Sequence, residues 1–329
     1  MIVDLTPTEE QRLVDDSVRS LLAGRLPLNR LRDPSNHAAA AESALWADFA
    51  ALGIFGLGLA QSDGGVGYGL AEEVIVARAL GEYLASPLLI SQMSAVHLAS
   101  EGSLRAKLIA GEVRAALVHA LDGGEGRLID AAGATFAVTL TGGARLVPLA
   151  AFEGREPVAG LDETVHVERL IGPMDARADP VAAHRISLLL AAYLVGVASA
   201  ARDMAVGYAS TREQFGQPIG AFQAIKHSCA DMAVRAAAAD SQTCYAAVTF
   251  GLGGDNAVET ACARYLAREA ALANAQANIQ VHGGMGFTAD CDAHLLLKRA
   301  HLVGAIASSR RQEQSLILGS DGAQNRAPQ

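Results

Sequence analysis

Residues 179–319 form a stretch of long segments that are rich in alanine and other small residues. An Asp-Pro pair at 179–180 has the residue types preferred at a helix N-cap and at the first helical position. Apolar residues then recur at helical spacing, which predicts a first long helix over 180–211. Two more are predicted, over about 221–250 and 255–282, where glycines follow each one. Because long helices with small side chains pack closely, this stretch predicts a helical bundle.

The chain before this bundle changes its periodicity twice. A Thr-Pro-Thr-Glu sequence at 6–9 resembles a capping box and predicts an N-terminal helix. Between 115 and 171, alternating apolar residues and Gly pairs predict about five short strands, the clearest at 135–140 and 164–168. The sequence therefore predicts a mainly α protein with a small β-domain. Its three expected parts are an N-terminal helical domain (1–113), a shortened β-domain (114–175) and a C-terminal four-helix bundle (176–329).

Composition narrows the function classes. The hydrophobic fraction is 51%, yet no run of about eighteen uncharged apolar residues occurs, and Met1–Asp4 lacks the basic and apolar regions of a signal peptide. We therefore expect no membrane span and a cytoplasmic protein. The net charge of -9 argues against a nucleic-acid partner, because phosphates are bound by clustered Lys and Arg. The four cysteines include no CxxC pair, which predicts reduced thiols and no metal site.

Two short motifs carry a family resemblance. The first is Arg-Glu-Gln-Phe-Gly-Gln-Pro-Ile at 212–219, followed by Phe-Gln at 222–223, and the second is Gln-Val-His-Gly-Gly-Met-Gly-Phe at 280–287. Together with the chain opening at 5–11 and the Gly-rich segment at 52–67, they resemble the acyl-CoA dehydrogenase family. The resemblance covers nearly the whole chain, and the order of helices, small β-region and bundle agrees with it.

The resemblance implies a flavoenzyme in which FAD lies across a subunit boundary. One subunit's β-domain holds the isoalloxazine ring, and the neighbour's two motifs hold the pyrophosphate and adenosine. A guanidinium suits pyrophosphate, an aromatic ring packs on adenosine, and adjacent glycines let backbone N–H groups approach. We call the matching residues the nucleotide half-site: Arg212, Gln214, Phe215, Ile219, Gln223, Gln280, Gly283 and Gly284. As separate features, the same residues also suit a helix-end cation (Arg212), a core aromatic (Phe215) and a plain C-cap (Gly283–Gly284).

The sequence departs from the family where the catalytic base belongs. In the family a glutamate removes the α-proton of the acyl-CoA, and its usual position falls on Ala307. A minority of members place the base early in the first bundle helix, beside an arginine, which here falls on Ile186 or Ser187. None of these is acidic, and His184 is the nearest titratable residue. No catalytic residue is therefore predicted.

The β-region is also about half the family's usual length. It contains no Trp, and Ala120–Gly124 is what remains of the family's flavin-binding segment. Thr139 and Thr141 are the residues that could stand in, although strand residues of this type are more often structural. The half of the site that a subunit gives to its neighbour is thus kept, whereas the half for its own flavin is lost.

These features suggest the shorter subunit of an α2β2 acyl-CoA dehydrogenase that acts on bulky thioesters such as steroid side chains. A longer partner chain would then supply the base and bind most of the acyl-CoA. Two alternatives stay open from the sequence. One is a complete homotetramer with a displaced base, for instance Glu163 or Glu168, and the other is a flavin-free scaffold or regulatory protein of the same fold.

Overall fold

The computed structural model describes residues 3–32, 42–100, 102–140, 143–172, 179–250, 252 and 256–324. They form a mainly helical protein with one small mixed sheet, which confirms the predicted fold class. The helices before the sheet are α1 (Glu9–Arg25), α2 (Trp46–Ala51), α3 (Leu70–Glu82), α4 (Pro87–Leu98) and α5 (Gly102–Ile109). The N-cap of α1 is Thr8 rather than Thr6, because Thr8 forms the reciprocal capping box with Gln11.

The sheet has six strands in the order β4-β3-β1-β2-β6-β5, one more than the approximate number predicted. Among the described strands, only β1 and β3 pair in parallel. The strands are β1 (Arg114–Ala120), β2 (Glu125–Ile129), β3 (Ala134–Leu140), β4 (Ala144–Pro148), β5 (Glu153–Val158) and β6 (Val167–Ile171).

The strand predicted at 164–168 was wrong at its start, because β6 begins only at Val167. Thr164 is buried instead, and its hydroxyl donates to Oδ1 of Asp162 at 2.6 Å. The same hydroxyl accepts from Nη2 of the buried Arg299 at 2.9 Å, and Nε of Arg299 donates to Asp162 at 2.6 Å. Satisfying a buried guanidinium therefore takes precedence over the alternating pattern of this segment.

In the described part of the chain, five helices follow the sheet, with a short hairpin between the first two. They are α6 (Pro180–Thr211), α7 (Gln223–Phe250), α8 (Ala257–His282), α9 (Ala293–Ala305) and α10 (Arg310–Gln324), and the hairpin strands are β7 (Glu213–Gln214) and β8 (Gln217–Pro218). Asp179 caps α6 as predicted, since its carboxylate accepts from the backbone N–H groups of Val181 and Ala182. The glycines predicted to end α7, at 251, 253 and 254, lie outside the described residues.

Helix α6 is the central element of the bundle. Its length and apolar composition would suit a membrane span, but 72% of its most apolar window is buried inside the molecule, as in the core helix of a globular fold. It crosses α3 with backbones in direct contact at two glycines. A Cβ on Gly81 would collide with the carbonyl oxygen of Tyr193, and one on Gly196 with that of Arg78. The helices before the sheet are thereby packed tightly against the bundle.

Candidate functional site

The first motif forms the β7–β8 hairpin after α6. Phe215 and Gly216 occupy its two central positions with φ of +54° and +78°, the pattern of a type I′ turn. The Phe215 side chain is 92% exposed, so the core-aromatic interpretation of Phe215 was wrong. Its ring meets the Phe222 ring edge-on, with centroids 6.1 Å apart. A bulky residue in the left-handed region, with its ring in solvent, is costly and indicates a functional surface.

The second motif ends α8. The N–H of Gly283 donates to the carbonyl of Gln280, so this glycine is indeed a C-cap, with φ of +61°. It is more than a cap, because both Gly283 and Gly284 are exposed and a Cβ on either would meet nothing within 4 Å. Gly286 differs, since its Cβ would lie 2.7 Å from the carbonyl oxygen of Ile279. The adjacent glycines therefore leave a bare backbone open to a ligand.

The fold brings the two motifs together at one end of the bundle. The rings of Tyr208, one turn before Arg212, and His282, one residue before Gly283, stack with centroids 4.2 Å apart. Nδ1 of His282 is fixed by the carbonyl of Asn278 at 2.8 Å. Residues about seventy positions apart in sequence thus share one surface, as the nucleotide half-site requires.

The remaining half-site residues lie on or beside the same turn. The N–H of Ile219 donates to the carbonyl of Arg212 at 2.8 Å and closes the hairpin. The Arg212 backbone is the C-cap of α6, so the helix-end interpretation also describes it. Within the described part of the chain its guanidinium has no hydrogen bond or ion pair. The exposed members of the half-site are Arg212, Gln214, Phe215, Gln223, Gln280, Gly283 and Gly284.

This donor set fits one part of FAD. A guanidinium, three amide side chains and open glycine backbone can donate to pyrophosphate oxygens, and an exposed aromatic ring can pack on adenosine. All these groups face solvent in the single chain, and an exposed surface alone cannot enclose a dinucleotide. The arrangement therefore suits one wall of a nucleotide site that a second surface would complete.

A cavity of about 630 Å³, which we call the central cavity, lies between the sheet and the bundle. The ends of β1 and β3 meet α6, α8, α9 and the segment after α9 around it. Ala307 and Ser187, two of the positions considered for the base, both line it, whereas Ile186 is buried elsewhere. Arg185 is unavailable to assist a base there, because its Nε donates to the buried Glu73 at 2.8 Å.

The side chains that line the central cavity include no Asp or Glu within the described ranges. The candidates for a displaced base lie elsewhere: Glu163 pairs with Lys298, and Glu168 with Arg155 at 2.8 Å. Two histidines, His119 and His301, do line the cavity.

The sequence suggests Ala120–Gly124, Thr139 and Thr141 as remnants of the part of the site that holds the flavin ring. Ala120 and Leu121, from the segment that corresponds to the family's flavin-binding stretch, line the cavity. Thr139 is buried and does not line it, and Thr141 lies outside the described residues.

Burial, and secondly the charge of Arg127, lowers the pKa of His119, so this cavity-lining imidazole is neutral at neutral pH.

The segment that carries Ala307 is anchored by two buried arginines. Nη2 of Arg264 donates to the carbonyls of Val303 and Ile306 at 2.5 and 2.7 Å. Nη2 of Arg268 donates to the carbonyl of Ser308 at 2.6 Å. Ala307 itself has φ of +74°, which is strained for any residue with a Cβ. Burial, reinforced by the charge of Arg268, lowers the pKa of Arg264 to about 9.

Sequence reasoning missed the residues that shape this cavity, notably Arg268, His119, His301 and Gly304. A signal for the arginines was present. Arg264 and Arg268 are one helical turn apart in a helix otherwise dominated by alanine, and charges on a buried helix face require partners.

Comparisons with known proteins agree with this architecture. The acyl-CoA dehydrogenase N-terminal domain matches residues 8–107 and the acyl-CoA dehydrogenase C-terminal domain matches 182–307, with the sheet between them. The acyl-CoA dehydrogenase IpdE2 of Mycobacterium tuberculosis is 31% identical over 312 residues, or 94% of this chain and 96% of the relative. FadE34 of the same organism is 32% identical over 91% of this chain, which spans only 46% of that longer protein.

Solved structures show the same fold at lower identity. A chain of the ChsE4-ChsE5 complex from Mycobacterium tuberculosis superposes with a TM-score of 0.79 at 20% identity, over 99% of this chain and 100% of that one. The Tcur3481-Tcur3483 steroid ACAD gives 0.81 at 22% identity, over 96% and 99%. On the strength of the domain matches and the full-length relative, the chain belongs to the acyl-CoA dehydrogenase family, whose cofactor is FAD.

Proposed function

We propose that this chain is the shorter subunit of a heteromeric, cytoplasmic, FAD-dependent acyl-CoA dehydrogenase. It gives the nucleotide half-site to a longer partner, which supplies the catalytic carboxylate and binds most of the acyl-CoA. The substrate class is a bulky thioester such as a steroid side chain. Bound FAD supplies the acceptor for the hydride that leaves the β-carbon of the acyl group.

The observation that carries the proposal is the contrast between two surfaces of the same chain. On the outer surface, Arg212 and Phe215 are held exposed beside the bare backbone of Gly283 and Gly284, at the cost of a strained turn. An exposed pyrophosphate-type site of this kind is useful to a neighbouring subunit that brings the rest of the flavin.

Inside, the lining of the central cavity includes no carboxylate among the described residues. Ser187 and Ala307 line it, and neither can accept an α-proton. Glu163 and Glu168 are held in surface ion pairs outside the lining, which speaks against a displaced base of either kind. This supports a role for the chain as one half of an enzyme.

The neighbours' names support the heteromeric assembly and the substrate class. One structural neighbour belongs to the ChsE4-ChsE5 complex, and another is a steroid ACAD with two named components. The proposal also retains the division of the chain into parts at 113 and 175. The first boundary is next to the start of β1 and the second falls among residues outside the described ranges.

Expression of the chain alone and with a longer acyl-CoA dehydrogenase chain encoded beside it tests the proposal. We expect little flavin absorbance and no acyl-CoA oxidation from the chain alone, and bound FAD with turnover from the pair. Stoichiometric FAD and turnover in the isolated chain would establish the homotetramer instead. Absence of FAD from both preparations would favour the flavin-free scaffold.

A further inference from the structure

The wall of the central cavity formed by α8 carries an excess of positive charge. Arg264 and Arg268 are only 1% and 6% exposed, and both face the single buried carboxylate of Glu313. Nη2 of Arg268 lies 2.7 Å from Glu313 Oε1, whereas Nε of Arg264 lies 3.9 Å away. The C-terminal carbonyls of α9 accept from Arg264 and offset about half a charge. The remaining positive charge has no counter-ion among the described residues.

Arg268 has unused donors. Its Nη2 serves the carbonyl of Ser308 and the carboxylate of Glu313, while Nε and Nη1 have no partner in the part of the chain that the structure describes. Arg268 also lines the central cavity. Because a charged donor that is buried without a partner is costly, this residue is suited to an oxygen acceptor from a ligand.

Gly304 keeps this part of the wall open. It lines the cavity too, and a Cβ added there would lie 3.4 Å from Cγ and 3.7 Å from Nε of Arg268. These are ordinary contact distances, so alanine would fit but would cover the side chain. The nearby cavity residues add further donors and no acid: His301, Ser309, Arg310 and Gln312.

We propose that the central cavity binds an anionic oxygen group at Arg268, and that this group is a carboxylate on the acyl part of a CoA thioester. The volume of about 630 Å³ suits a drug-sized ligand. A singly charged carboxylate is closer to this residual charge than the pyrophosphate of CoA or FAD, which carries two negative charges. This inference concerns the chain's own cavity and does not depend on the half-site role.

Calorimetric titration of the purified full chain with paired thioesters tests the proposal. Glutaryl-CoA is compared with valeryl-CoA, and suberyl-CoA with octanoyl-CoA, so that a carboxylate replaces a terminal methyl group in each pair. We expect the carboxylated member of at least one pair to bind about ten- to a hundredfold more tightly, as a charge-assisted hydrogen bond implies. CoA and FAD alone should bind more weakly than the carboxylated thioesters.

Two variants assign the preference to this wall. Arg268→Gln removes the charge and should abolish the preference, and Gly304→Ala keeps the charge but covers it and should reduce the preference at least severalfold. Gly207→Ala is the matched helix control, because a Cβ there meets nothing within 4 Å. If Arg268→Gln does not fold, because Glu313 loses its partner, Gly304→Ala decides alone.

Three results would overturn the proposal. They are equal affinity within both thioester pairs, CoA or FAD alone binding as tightly as the carboxylated thioesters, and a preference that survives Gly304→Ala unchanged. Loss of the preference in the Gly207→Ala control would equally remove the assignment to Arg268.

Discussion

Replacing Arg212 by alanine separates a cofactor-binding arginine from a surface cation. The guanidinium is exposed, and its removal breaks no hydrogen bond or ion pair within the described residues. The free energy of unfolding of the isolated chain should therefore change by no more than about 0.5 kcal/mol. A larger loss of free energy that is seen only in the assembled enzyme must therefore come from a partner of the guanidinium outside this chain.

In the assembled enzyme the expected effect is much larger. A charge-assisted hydrogen bond to pyrophosphate is worth about 1.5 to 3 kcal/mol, which corresponds to roughly ten- to a hundredfold in FAD affinity. An ion pair that stays open to water would contribute only about 0.2 to 1 kcal/mol. The size of the loss thus also reports whether assembly covers Arg212.

FAD affinity is measured by titrating the apo complex and following the flavin fluorescence. The isolated chain offers a second measurement, in which ADP is titrated as the part of FAD that meets the half-site. Arg12→Ala, an exposed arginine on α1, is the control and should change neither affinity. If Arg212→Ala retains FAD as the wild-type complex does, Arg212 is a surface cation and the half-site assignment fails.

Three further predictions concern the packing, the pH dependence and the base position. Gly196→Ala should lower the free energy of unfolding by about 1 to 3 kcal/mol, because the added Cβ meets the Arg78 backbone. Gly207→Ala should raise it by up to about 1 kcal/mol, because the added Cβ meets nothing and alanine favours the helix. Denaturant titration of both variants and the wild type measures these changes. Burial raises the pKa of Glu42 to about 7, so the protonated carboxyl stabilises the fold fully below pH 4.5, and this contribution is lost as pH rises through 7. Glu42→Gln should therefore make the denaturant midpoint less dependent on pH across this range. A midpoint that depends on pH as steeply as in the wild type contradicts this prediction. Ala307→Glu in the isolated chain should yield no dehydrogenase turnover, because a base acts only on an aligned substrate and acceptor; measurable turnover contradicts the half-site proposal.

Much of the fold could be predicted because its signals are local. The Asp179 cap, the periodicity that follows and the glycines after His282 fix the bundle helices to within a few residues. Local signals were weaker in the sheet. The alternating pattern of its segment predicts Thr164 to be a strand residue. Instead, its hydroxyl accepts a hydrogen bond in the core from Arg299, more than one hundred residues later.

The central cavity could not be predicted because its residues come from distant parts of the chain. His119 lies one residue before the end of β1, Ser187 lies near the start of α6 and Arg268 is in the middle of α8. Periodicity shows that each position is internal but not which space it faces. The nucleotide half-site was easier to find, since each of its motifs is contiguous and unusual in composition.

The location of backbone strain bears on how the chain works. Phe215 and Ala307 both adopt a left-handed backbone, which costs a residue with a Cβ about 1 to 2 kcal/mol. At 307 the cost persists because buried arginines hold the neighbouring carbonyls, so the segment keeps its shape at the position where the family resemblance expects the base. At 215 the ring is 92% exposed and its contact with the Phe222 ring is edge-on, so packing within the chain compensates little of the strain. A flavin nucleotide brought by a longer partner would cover this ring, and the central cavity would then be free to serve binding without proton abstraction.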